Sequence, residues 1–99
     1  MGFRLFDQYT YLHFAMGIVG YFWGIGFLLL LIVHSLFEYV ENTKGGIWFI
    51  NHCMPSWPGG KPEADAYINR IGDTIGVLFG WVSAYYLDSM GIRRDWYAK

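Results

Sequence analysis

GYFWGIG, Gly20 to Gly26, is the stretch on which the fold turns. It interrupts an apolar run from Tyr11 to Phe37, 27 residues in which only His13 and His34 titrate near neutral pH. As one helix that run would reach about 40 Å at 1.5 Å per residue. The hydrocarbon core of a bilayer is roughly 30 Å thick, and tilt can absorb such an excess. Three glycines in seven residues weaken a helix, however, because glycine loses the most backbone freedom on ordering. Tyr21, Phe22 and Trp23 lie among them, and Trp and Tyr concentrate at membrane–water interfaces. The stretch therefore predicts a turn at headgroup level between helices over about residues 6–22 and 26–42. The alternative is one long, kinked helix.

Downstream, residues 43–64 hold all three prolines and four glycines, with PSWPGGKP, Pro55 to Pro62, dense in turn formers. Within this segment IWFI, Ile47 to Ile50, reads as a short strand or a piece lying in the interface. Trp48 and Trp57 argue for a packed loop at headgroup level. A last helix is expected over about residues 65–87, followed by a charged, aromatic tail over 88–99. Hydrophobic residues make up 55% of the 99-residue chain and charged residues 15%, against about 25% in a typical soluble domain. So few charges cannot cover so much apolar surface in water. The fold class these features predict is an all-α integral membrane protein of one domain, residues 1–99. It would be a compact bundle of three transmembrane helices, or two if the first pair is continuous, with a Pro/Gly-rich aromatic loop.

The net charge of −1 leaves no basic footprint for nucleic acid. Cys53 is the one cysteine, so no internal disulfide can form. The N-terminus carries an acid, Asp7, before the apolar run and lacks a cleavage site after it, so the run is expected to remain. Phe6 stands where a myristoylation signal would have Ser or Thr. Lys44, Lys61, Arg93 and Arg94 read as solvated charges at the membrane boundary.

Residues three and four apart share a helix face. His34, Glu38 and Glu41 form one polar stripe, and Asp65, Asn69 and Asp73 another. Gly72, Gly76 and Gly80 form a small-xxx-small row, a glycine-zipper pattern that lets a neighbouring backbone approach. Ionisable groups inside a membrane cost about 2.5–3.5 kcal/mol each on insertion scales and turn inward to find partners. Glu38, Glu41, Asn42, Asn69 and Asp73 are therefore expected to form a polar core. Arg70, His13 and His34 are its candidate partners, and at least one of Glu38, Glu41 and Asp73 is expected to be neutral at pH 7.

His13 in YTYLHFAMG, FEYVEN at Phe37–Asn42 and INRIGDTIGVLFGW at Ile68–Trp81 together resemble the VanZ-like membrane proteins. The pattern looks closer still to an uncharacterised bacterial family of small inner-membrane proteins with a glutamate–x–x–glutamate–asparagine motif. The spacing from His13 to Glu38 is shorter than in that family. The resemblance implies an integral membrane protein with an inward polar cluster and little more, the one functional association, with glycopeptide-antibiotic resistance, being that of VanZ itself.

For function, the expectation is a structural role: a small multi-pass subunit packed in a larger membrane assembly, such as the inner membrane of a virion. Its partners would be the lipid bilayer and other membrane proteins or further copies of itself. Gly72, Gly76 and Gly80 would supply close packing, with no cofactor. The alternative is a membrane-embedded enzyme acting on a lipid or lipid-linked phosphate. His13, His34, Glu38, Glu41 and Asp73 would then be catalytic, and His34 with Glu38, at i, i+4, would have metal-ligand spacing. No HExxH, nucleophile elbow or phosphate loop is present. Transport would require oligomerisation, since one chain has few helices.

Overall fold

The computed structural model describes residues 3–58 and 60–96. Gly59 of the predicted turn and residues 97–99 of the predicted tail lie outside it, as does Gly2. Four helices follow one another: α1, Gln8–Phe22; α2, Phe27–Glu41; α3, Lys44–Cys53; and α4, Tyr67–Arg93.

The turn between α1 and α2 falls inside the glycine-rich stretch. Gly24 adopts φ of +83°, a left-handed conformation that a side chain disfavours. Trp81 of α4 fixes this turn by donating its indole N–H to the Ile25 carbonyl at 2.8 Å. At the other end, α1 begins with a reciprocal cap. The Asp7 carboxylate accepts from the backbone N–H of Tyr9 and Thr10, while the Asp7 N–H donates to Thr10 Oγ1 at 3.1 Å.

α1 and α4 run parallel and nearly touch. A Cβ on Gly72 would meet the Leu5 carbonyl, one on Gly76 the Thr10 side chain, and one on Gly80 the Phe14 carbonyl. From the α1 side, a Cβ on Gly17 would strike the Val77 carbonyl. α2 returns antiparallel: Phe27 lies beside Trp81 near the turn, and His34 lies against His13 further back.

Three sequence expectations are corrected here. Among the described residues only α4 is long and apolar enough to cross a membrane, so the bundle of three transmembrane helices is overturned. α1 and α2 have 15 residues each, about 22 Å at 1.5 Å per residue, short of a hydrocarbon core of about 30 Å. The turn that splits the apolar run is what leaves both halves too short, and the multi-pass description falls with it. The glycine row is likewise no zipper offered to another chain, because α1 of the same chain fills it. Finally, the segment read as loop or strand contains α3. Thr43 caps that helix by accepting from the Gly46 N–H at 3.0 Å, and Gly46 lets it fold tightly against Val40.

Burial is inverted. Among the described residues the buried apolar side chains are Leu30, Ile50, Val77 and Ala84, whereas eight polar or charged residues are buried. Large apolar side chains face outward on all three long helices, including Leu28 at 67% exposure, Leu36 at 62% and Phe79 at 65%. Exposed apolar patches and buried polar groups are the informative departures from ordinary burial.

Candidate functional site

The buried polar side chains gather where the N-terminal ends of α1 and α4 meet the C-terminal end of α2. The α2 stripe, His34, Glu38 and Glu41, is wholly buried, as are Asn69 and Asp73 of α4. His13 of α1 completes the centre, its ring edge-on to that of His34 with 5.1 Å between centroids.

Each group has a defined set of neighbours. Thr10 Oγ1 donates to Asp73 Oδ1 at 2.8 Å, and His13 Nε2 faces Asp73 Oδ2 at 3.3 Å. His34 Nε2 faces Glu38 Oε1 at 3.3 Å within α2. Asn69 donates to the Arg4 carbonyl at 2.8 Å and to Asp7 Oδ2 at 3.2 Å, tying the segment before α1 to α4. Asn42 donates to the Glu38 carbonyl at 2.7 Å and accepts from the Asp65 N–H at 2.8 Å. The sequence-predicted polar residues are thus brought together, with Asn42 at the margin holding the chain that leads into α4.

Burial sets the protonation of the α1 and α2 members, since it disfavours the charged form. Burial, with His34 nearby, pushes His13 down to about 4. Burial lowers His34 as well. Both imidazoles are therefore neutral at pH 7, and their 3.3 Å approaches to the Asp73 and Glu38 carboxyls are not ion pairs. Burial, reinforced by the hydrogen bond with Glu38, pushes Glu41 up to about 8. Burial also raises Glu38. The Glu38 and Glu41 carboxyls are hydrogen-bonded to each other, and burial favours the protonated form of each.

Sequence reasoning misplaced one residue of the cluster. Lys61 is no boundary charge: its side chain is 0% exposed, and Nζ lies 2.8 Å from Asp65 Oδ2. A lysine is almost never fully buried unless paired. Asn51 of α3 holds it there, donating to the Lys61 carbonyl at 2.7 Å and accepting from its N–H at 3.2 Å. Arg70 lies at the edge of the cluster, its charge acting on Glu38 across a shared opening, while its Nε donates to the Asp65 carbonyl at 3.2 Å and its guanidinium lies over the Tyr67 ring. The four-residue spacing of Lys61 and Asp65 was a visible signal, but it lies in a segment without helical periodicity. The D-x-x-T cap of Asp7 and Thr10 was the other overlooked signal.

Among the described residues an opening of about 340 Å³ reaches Glu38 beside Arg70, and two more reach the rest of the cluster. A small polar cavity of about 60 Å³ lies among His13, Glu41, Lys61, Asp65, Asn69 and Asp73. A larger groove of about 640 Å³ runs between α1 and α2. Met16, Val19, Leu30 and Val33 line its length, and His13, His34 and Glu41 stand in its wall. Trp57, stacked on Phe37 at 6.0 Å, contributes to both of these.

No family model matches the chain, and neither a curated protein nor a solved structure matches it.

Proposed function

We propose that the chain is a membrane-embedded enzyme that draws a lipid or lipid-linked phosphate into the groove between α1 and α2 and acts on its polar head at the His/Glu/Asp cluster. The observation that carries this reading is the groove itself, apolar along its length with two imidazoles and a carboxyl in its wall. That polarity profile matches an acyl or prenyl chain with a short head. Its volume of about 640 Å³ falls within the roughly 300–1,000 Å³ usual for ligand sites.

The inverted burial supports a lipid surrounding. Apolar side chains cover the outside, and the polar ones are inside. α4 is the element that crosses. In its best apolar window only 28% is buried, unlike the core helix of a soluble protein. α1 and α2 then lie against α4 with their outer faces toward lipid. An assembly role would use the outer faces but would leave the groove and its imidazoles without a task.

The test is photo-crosslinking with a diazirine-bearing phosphatidic acid in nanodiscs, combined with an assay for released phosphate. Label is expected on α1 and α2 peptides facing the groove, and Val33→Trp, which fills the groove from an exposed position, should reduce labelling and phosphate release together. Label spread evenly over all outward faces, with no effect of Val33→Trp, would overturn the reading.

A further inference from the structure

We propose that His13, His34 and Glu38 form a binding site for a divalent transition metal, zinc by preference. One donor atom from each residue lies within 4.8 Å of the other two. The three residues also each leave a buried atom without a hydrogen-bond partner: His13 Nδ1, His34 Nε2 and Glu38 Oε1. The His34 and Glu38 side chains are 2% and 6% exposed. Buried polar atoms are rarely left unpaired, and such a set calls for an occupant.

The geometry fits zinc. His34 Nε2 and Glu38 Oε1 stand 3.3 Å apart yet form no hydrogen bond. Two ligands about 2.0–2.2 Å from a tetrahedral zinc are separated by roughly 3.3 Å. Two imidazoles with one carboxylate is a known catalytic zinc set that keeps a fourth position open. Behind His13 stands the usual support for such a ligand. Its Nε2 faces Asp73 Oδ2 at 3.3 Å, and Asp73 is held in turn by Thr10. A carboxylate behind a ligating histidine fixes the tautomer and turns the other nitrogen to the metal.

Glu38, Glu41 and Asp65 also cluster closely enough for an ion. There the charge is already met by the buried Lys61 ammonium, 2.8 Å from Asp65, so the imidazole-bearing set is the site. The inference stands on the unpartnered atoms and does not rest on the lipid reading. If both hold, the ion would lie beside the groove wall and supply a Lewis acid there.

The experiment uses the full 99-residue chain in detergent, stripped with chelator and titrated with Zn²⁺ by calorimetry, with metal content read after gel filtration. No lipid substrate is involved, so failure here is separate from failure of the enzyme reading. The expected result is one Zn²⁺ per chain, with equimolar Mg²⁺ not competing. His34→Ala and Glu38→Gln should abolish stoichiometric binding. Asp73→Asn should weaken it by about 10–100-fold. His52→Ala and Cys53→Ser, in exposed positions away from the cluster, should leave it unchanged. Circular dichroism checks folding. Should a ligand variant unfold, Co²⁺ loaded into the wild-type chain decides, because tetrahedral histidine coordination gives intense visible bands that Zn²⁺ removes. A wild-type chain that retains no metal, binding that survives His13→Ala/His34→Ala, or binding lost with His52 or Cys53 would each overturn the proposal.

Discussion

Thr10 and Asp73 are joined by a 2.8 Å hydrogen bond between side chains 63 positions apart in the chain. The same hydroxyl oxygen accepts the Asp7 N–H in the cap of α1. One residue therefore starts a helix and locks that helix to α4. Thr10→Val keeps the shape and removes both bonds. It should lower stability by about 1–3 kcal/mol, the cost of leaving a buried polar group unsatisfied. Thr10→Ser should recover most of the loss. Denaturant unfolding in a mild detergent reads both.

The seam between α1 and α4 gives a steric prediction. Gly80→Ala puts a methyl group onto the Phe14 carbonyl, and overpacking of this kind costs about 1–3 kcal/mol. Gly45 of α3 has open space around it. Gly45→Ala should be neutral, or stabilising by up to about 1 kcal/mol, through helix propensity. Equal effects of the two substitutions in thermal unfolding would refute the close approach.

The buried pair of Lys61 and Asp65 should behave as a unit. Lys61→Met leaves the Asp65 carboxylate uncompensated, and breaking such a pair costs about 3–5 kcal/mol. Lys61→Met together with Asp65→Leu should be far less damaging than the sum of the two single changes. A double-mutant cycle on unfolding free energies measures the coupling, and additive effects would mean that the lysine is solvated after all.

The turn at Gly24 should be sensitive to any side chain. Its φ of +83° makes Gly24→Ala cost about 1–2 kcal/mol, although nothing crowds the site. The loss should appear in stability without a change in helix content by circular dichroism.

The proposed crossing by α4 is checked with single cysteines in a Cys53→Ser background. Thiol reagents should label Glu63→Cys and Asp95→Cys from opposite sides of sealed vesicles. Labelling of both from one side would remove α4 as the crossing element.

Much of the local structure was legible along the chain. The glycines of the 20–26 stretch carry their own reason for a turn, because only a residue without Cβ takes the conformation of Gly24 cheaply. The stripe of His34, Glu38 and Glu41 followed from helical spacing, and its inward direction from the cost of charge in lipid. The short helix α3 was hidden because Gly45, Gly46 and the aromatic residues around them have weak helix propensity. It forms through the Thr43 cap and its packing against the end of α2.

Sequence alone determined a helical chain with an apolar exterior and polar stripes on chosen faces, since periodicity and composition are properties of neighbours along the chain. Only tertiary structure decided which stripes meet. It set His13 against His34, carried Lys61 inside, spent the glycine row on α1, and left two helices too short to cross a bilayer. Those outcomes depend on distances between residues tens of positions apart, set by one turn, one long loop and the fit of two backbones, and none of these is encoded by spacing within a helix.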